Sequence, residues 1–115
     1  MIFNLSDYEN KLPLPANEKW KEGVWDIEVF KNGTMSLQVF APKGIDYQTP
    51  HDQDEIYIVI DGSGKIEIEG IQYPFSPGTA IFVAAGKKHK FIGNHSGIKL
   101  WVVFYGVKGG ERNSI

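Results

Sequence analysis

Short apolar stretches punctuated by glycine and proline at intervals of roughly ten residues run through most of this chain, and no long segment keeps a helical period. The pattern predicts an all-β protein. Met35, Leu37 and Val39 fall on one face of a strand and Ser36, Gln38 and Phe40 on the other. Lys65-Ile66-Glu67-Ile68-Glu69 alternates as cleanly, with its charged face toward water. Glu55-Ile56-Tyr57-Ile58-Val59-Ile60 is apolar on both faces after its first residue, the pattern of a strand buried on both sides. Strands are predicted at Val24–Phe30, Met35–Ala41, Glu55–Ile60, Gly64–Glu69, Ile71–Tyr73, Ala80–Ala84, Lys90–Ile92 and Ile98–Tyr105. Turns such as Asp61-Gly62-Ser63-Gly64, Glu69-Gly70 and Ser76-Pro77-Gly78 separate them. Eight short strands suit a barrel or jelly roll with Greek-key connections. Residues 1–23 read as an irregular lead-in, 24–106 as the barrel and 107–115 as a mobile tail.

Composition narrows the function. The 115 residues suffice for one domain, and a formal charge of −2 with no basic stripe argues against a nucleic-acid partner. The absence of Cys excludes thiolate zinc sites, thiol nucleophiles and disulfide scaffolds. No apolar run approaches the roughly 18 residues that span a bilayer, and the N-terminus lacks the pattern of a secretory signal, so a cytoplasmic protein is expected. Only three His are present, at 51, 89 and 95. His95 lies in the polar turn Gly93-Asn94-His95-Ser96-Gly97 and is read as solvated.

Glu55 is the anomaly of the pattern, because a carboxylate opening a buried strand costs several kcal/mol unless it is partnered. His51 precedes it by an even number of residues, so on one extended strand the two share a face. With His89 they form a two-His, one-carboxylate set that suits Fe, Mn, Ni or Zn. Gln53 has the same parity, and Gln48 and Thr49 precede it in the loop; each could add an oxygen. The three main groups could instead hydrogen-bond one another in a polar barrel floor.

The segments around these residues resemble the paired motifs of the cupin family. Gly44, His51, Glu55 and Gly62 match the first motif, and Gly78, Gly86 and His89 the second. Thr49 stands where the first motif has its leading His, Ala84 stands in place of the Pro of the second, and Gly93 in place of its Asn. The resemblance implies a single-domain double-stranded β-helix, an RmlC-like jelly roll, with a divalent transition metal on His51, Glu55 and His89. It also implies a small-molecule ligand or substrate, and a homodimer formed through edge strands or by swapped N-terminal segments, which would give the lead-in and Trp20 or Trp25 something to bury against.

Several activities follow from the resemblance: oxidation, sugar isomerisation, decarboxylation or lyase chemistry, and plain ligand binding. Two His and one carboxylate leave room for dioxygen and substrate, which favours an iron oxygenase. A non-catalytic binding module is the alternative from another class. Metal-free epimerase chemistry, with His51 or His89 as base and Tyr57 as acid, is a third. Tyr57 is the candidate catalytic side chain, Gln38 and Phe40 the candidate cavity wall, together with Trp101, Val103 and Tyr105. The Lys87-Lys88-His89-Lys90 cations are expected to hold His89 neutral and free to ligate.

Overall fold

The computed structural model describes residues 1–93 and 97–111. Eight strands form two antiparallel sheets: β1 (Asp26–Asn32), β2 (Met35–Phe40), β3 (Asp54–Asp61), β4 (Gly64–Ile68), β5 (Ile71–Phe75), β6 (Ala80–Val83), β7 (His89–Phe91) and β8 (Lys99–Tyr105). The larger sheet has the order β1-β2-β8-β3-β6 and the smaller β5-β4-β7. This is the expected jelly roll. Every predicted strand is present with ends shifted by two residues or fewer. His95 lies outside the described residues.

Local sequence explains the connections. Ile68 pairs with Ile71 across a two-residue turn in which Glu69 and Gly70 both have positive φ, +49° and +83°, the twist that suits a tight hairpin. Strand β5 runs past Tyr73 through Pro74 because it is the edge of its sheet, where a missing N–H breaks no ladder. Gly62 has φ +87°, and a Cβ there would lie 2.8 Å from the Ile98 backbone, so no other residue fits this place in the turn between β3 and β4.

The core lies between the sheets. Phe91 is its hub, with ring centroids 5.2 Å from Tyr57, 5.5 Å from Phe75 and 5.6 Å from Phe40. Two readings by parity are corrected here. Strand β3 is buried on one face only: Glu55, Tyr57 and Val59 point inward, whereas Ile58 and Ile60 are 39% and 43% exposed on the outer face. Strand β8 is reversed from the expected wall, since Leu100 and Val102 are the buried residues. Trp101 instead pairs with Ile58, and Val103 with Ile56, on the outer face.

The lead-in is more ordered than expected from its prolines. It contains a short helix, α1 (Leu5–Glu9), that packs against β2, and Glu9 pairs with Lys99 at 2.9 Å. Trp25 is buried in its own barrel and Trp20 packs on it edge-on at 5.8 Å, so these rings need no partner chain to cover them. The start of the tail is also held: Gly109 N–H donates to Asp52 O at 2.6 Å and Glu111 N–H to the Asp54 carboxylate at 2.8 Å. Among the described residues, no helix is long and apolar enough to cross a membrane.

Candidate metal centre

Glu55 and His89 approach one another from opposite sheets. Glu55 pairs with Phe104 and Val83 in the larger sheet, and His89 with Ile68 in the smaller. His51 precedes β3 and is not part of it, so shared strand parity is not what aligns it with Glu55. A backbone bond does that work. The Gly86 N–H donates to His51 O at 2.7 Å, fastening the loop to the turn before β7. One potential ligand atom from each of His51, Glu55 and His89 then lies within 4.8 Å of the others.

The local hydrogen bonding shows what this cluster lacks. His89 Nδ1 lies 2.9 Å from Lys87 O, which can only accept, so Nδ1 carries the proton and a neutral ring turns its Nε2 lone pair inward. Nε2 is 2.7 Å from Glu55 Oε1, a salt-bridge distance, yet neither Nε2 nor either Glu55 oxygen makes a well-directed hydrogen bond among the described residues. The pair is close but off the axis of a hydrogen bond, which weakens steeply with angle. Two lone-pair donors this close, with no well-directed proton between them, fit neighbouring ligands of one ion. Glu55 is 1% exposed and His89 5%, so leaving these atoms unmatched would be costly. The donor set therefore fits a divalent first-row metal.

The two imidazoles titrate in opposite directions. Burial is the main influence on His51 and lowers its pKa, outweighing the attraction of Glu55. Burial pulls His89 down as well, but the Glu55 carboxylate 2.7 Å away overcomes it and the net shift is upward. The expected neutralisation of His89 by the neighbouring lysines is thus corrected; Glu55 dominates. The lysines sit instead at a mixed-charge groove of about 520 Å³, where Glu67 and Glu69 accompany Lys88 and Lys90 beside His89.

The remaining predicted residues divide sharply. Gln48 belongs to the site: its Oε1 accepts from the Tyr57 hydroxyl at 3.1 Å and lies 3.3 Å from His51 Nε2. Thr49 has its hydroxyl held by Lys19 Nζ at 3.0 Å and edges the open groove. Gln53 is a structural clamp, donating to Thr34 O at 2.8 Å and Gly106 O at 2.9 Å, so its amide is committed elsewhere. Gln38 lines a second cavity, of about 220 Å³, with its nitrogen turned to Ser36 at 3.2 Å. Tyr57 also borders that cavity. Burial, then the Glu55 charge, pushes its phenol well above its usual pKa, so it stays protonated as a donor.

Two acids escaped the sequence reading. Asp26, at the start of β1, lines the smaller cavity together with His51, and burial chiefly raises its pKa. Asp46 is 6% exposed and accepts from the Phe91 N–H at 2.8 Å, a long-range contact that no local spacing announces.

Known proteins carry the same architecture. A cupin-2 domain containing protein of Shewanella frigidimarina superposes with TM-score 0.66 at 17% identity, covering 89% of this chain and 92% of that one. The EutQ protein of Clostridium difficile does so with TM-score 0.61 at 24% identity, over 73% and 67%. An uncharacterized protein of Streptomyces coelicolor is 29% identical over 93 residues, 79% of this chain and 88% of its own. The cupin domain family model matches residues 36–105, from the second strand to the last, and spans both Glu55 and His89. The chain belongs to the cupin domain family.

Proposed function

We propose that this protein holds one divalent first-row metal on His51, Glu55 and His89 and uses it to transform a small organic molecule, with oxygenase-type chemistry favoured. The observation that carries this reading is the set of buried, unmatched acceptors: both Glu55 oxygens and the inward lone pair of His89. A bound metal would supply a Lewis-acid or redox centre with positions left for water or substrate. The protein's own contribution is orientation. Lys87 O fixes the tautomer of His89, and burial keeps His51 unprotonated and able to donate its lone pair. Beside them, the 220 Å³ cavity offers an apolar wall of Phe40, Val102 and Phe104 with Asp26 and Gln38 as polar contacts. A cavity of this volume suits a small ligand.

Elemental analysis of purified protein tests the reading. Wild type should carry close to one metal per chain, and His51→Ala and Glu55→Ala should each lose nearly all of it. Wild type without metal after growth in supplemented medium would overturn it. The 2.7 Å approach of His89 to Glu55, with the raised His89 pKa, favours a second reading, a metal-free barrel that binds a small ligand over a His89–Glu55 ion pair. Saturable ligand binding that survives both chelation and His89→Ala would select the non-catalytic form of it.

A homodimer through the outer face of the larger sheet completes the proposal. Ile58, Ile60 and Phe82 are 39%, 43% and 52% exposed there, and Ile56 pairs with Phe82 in one apolar strip. A strip of this kind is unusual on a monomer. Phe82→Asp should raise the dimer dissociation constant at least a hundredfold, measured by sedimentation equilibrium, and an unchanged association state would remove this part.

A further inference from the structure

The loop before β3 carries polar contacts for which three ligands do not account. Asp46 is 6% exposed and accepts three hydrogen bonds. Oδ2 accepts from the Phe91 N–H at 2.8 Å and from the side-chain nitrogen of Gln48, and Oδ1 accepts from the Gln48 N–H at 3.1 Å. A carboxylate in this role can only accept, so the Gln48 amide must turn its nitrogen to Asp46 and its oxygen the other way. That oxygen has two lone pairs. The Tyr57 hydroxyl takes one at 3.1 Å, and the other faces His51 Nε2 at 3.3 Å, accepting from it when that nitrogen is protonated and standing beside its lone pair when it is not.

We infer that Gln48 Oε1 is a fourth donor to the ion between His51, Glu55 and His89, and that Asp46 is the positioning residue that keeps oxygen facing that ion, a role that rests on the metal reading above. The place that holds a His in the family's first motif is filled by Thr49, whose hydroxyl is engaged by Lys19. The missing donor comes from one residue earlier. Its chemistry differs, because a neutral amide oxygen replaces an imidazole and leaves two nitrogens and two oxygens. Such a set is harder, and shifts preference toward Mn²⁺ or Fe²⁺ relative to a three-imidazole site.

A charge swap provides the test, with Mn²⁺ affinity measured by calorimetry and Co²⁺ loading followed by visible absorption. Asp46→Asn puts an NH₂ where one oxygen was: in place of Oδ2 it faces the Gln48 side-chain nitrogen and the Phe91 N–H together, and in place of Oδ1 it faces the Gln48 N–H, so in either rotamer the hold on the Gln48 amide is weakened. Asp46→Asn and Gln48→Ala should each weaken Mn²⁺ roughly tenfold to a hundredfold, the usual size for losing such support. The double variant Asp46→Asn/Gln48→Glu should restore wild-type affinity or exceed it and should shift the Co²⁺ bands, since a carboxylate then occupies the donor place. Affinity within twofold of wild type in Gln48→Ala, a Co²⁺ spectrum that superimposes on wild type, or failure of the double variant to recover would overturn the inference. Wild type that takes no metal removes the metal reading and this one together. Wild type that needs His51 and Glu55, with Gln48→Ala binding equally well, removes this one alone.

Discussion

Metal at about one hundred times its dissociation constant should raise the melting midpoint by about 11 °C over chelated protein, near neutral pH. At that ratio, binding to the native state alone contributes about 2.7 kcal/mol. Unfolding entropy near 2.1 cal/mol/K per residue gives about 0.24 kcal/mol/K for a chain of this length. The quotient is the expected shift. Acid should erode it, and the sign follows from His89. Its folded pKa lies above 6.5, so protonation of His89 stabilises the metal-free fold, fully below the unfolded value, and that gain is lost as pH rises through the folded pKa. The metal needs the deprotonated ring and competes with that proton. Competition therefore begins above pH 6.5 on acidification and grows to about tenfold in affinity per pH unit. That is about 1.4 kcal/mol, or roughly 6 °C of metal-induced shift per unit. His51 behaves oppositely, its folded pKa being below 6.5, so it favours the fold above 6.5 and loses that contribution as pH falls through the folded value. It adds a second competing proton only further into acid. Differential scanning fluorimetry with and without chelator, from pH 5.5 to 8, measures the whole curve. A metal shift independent of pH would show that neither imidazole ligates.

Phe91→Ala should destabilise the metal-free protein by about 3–5 kcal/mol, the usual cost of emptying a buried phenyl site. Phe91 is 1% exposed and meets three aromatic rings, two of them edge-on at 88° and 84°. Its neighbours come from both sheets, so they cannot collapse into the space without moving the sheets together. The midpoint should fall by roughly 12–20 °C by the same entropy scale. Urea denaturation followed by tryptophan fluorescence is the measurement, and a loss below about 1 kcal/mol would contradict the central place given to this ring. Phe91→Leu should recover most of the loss.

Strand existence was legible because each strand carries its own period and is closed by glycine or proline, as at Asp61-Gly62-Ser63-Gly64. Facing was less so. Ile56, Ile58 and Ile60 are as apolar as the inward residues of β3, so alternation has nothing to register, and one outer face reads as core. Trp101, Val103 and Tyr105 misled for the same reason. Within the candidate site, His51, Glu55 and His89 were legible as residue types in motif spacing. The placing of His51 beside the other two depends on the Gly86 bond, which joins two segments and leaves no local trace. Gln48 and Gln53 are the same residue type in the same loop, yet only the first reaches the site; the carbonyls of Thr34 and Gly106 capture the second. Asp46 acts on Gln48 and on Phe91, 45 positions away, a relation visible only in space.

The bond from Gly86 to His51 bears on chain topology as well as on ligand alignment. Residues 51 and 89 bracket the whole run from β3 to β6, so an ion gripping both would close a loop of nearly forty residues. A crosslink of that span acts on the unfolded chain, whose freedom it restricts, as much as on the native contacts. The backbone bond pre-aligns the two ends, so the ion has little chain entropy left to overcome when it binds. Metal content would then govern how often the strands between those ends open together, coupling occupancy of the site to the lifetime of half the barrel.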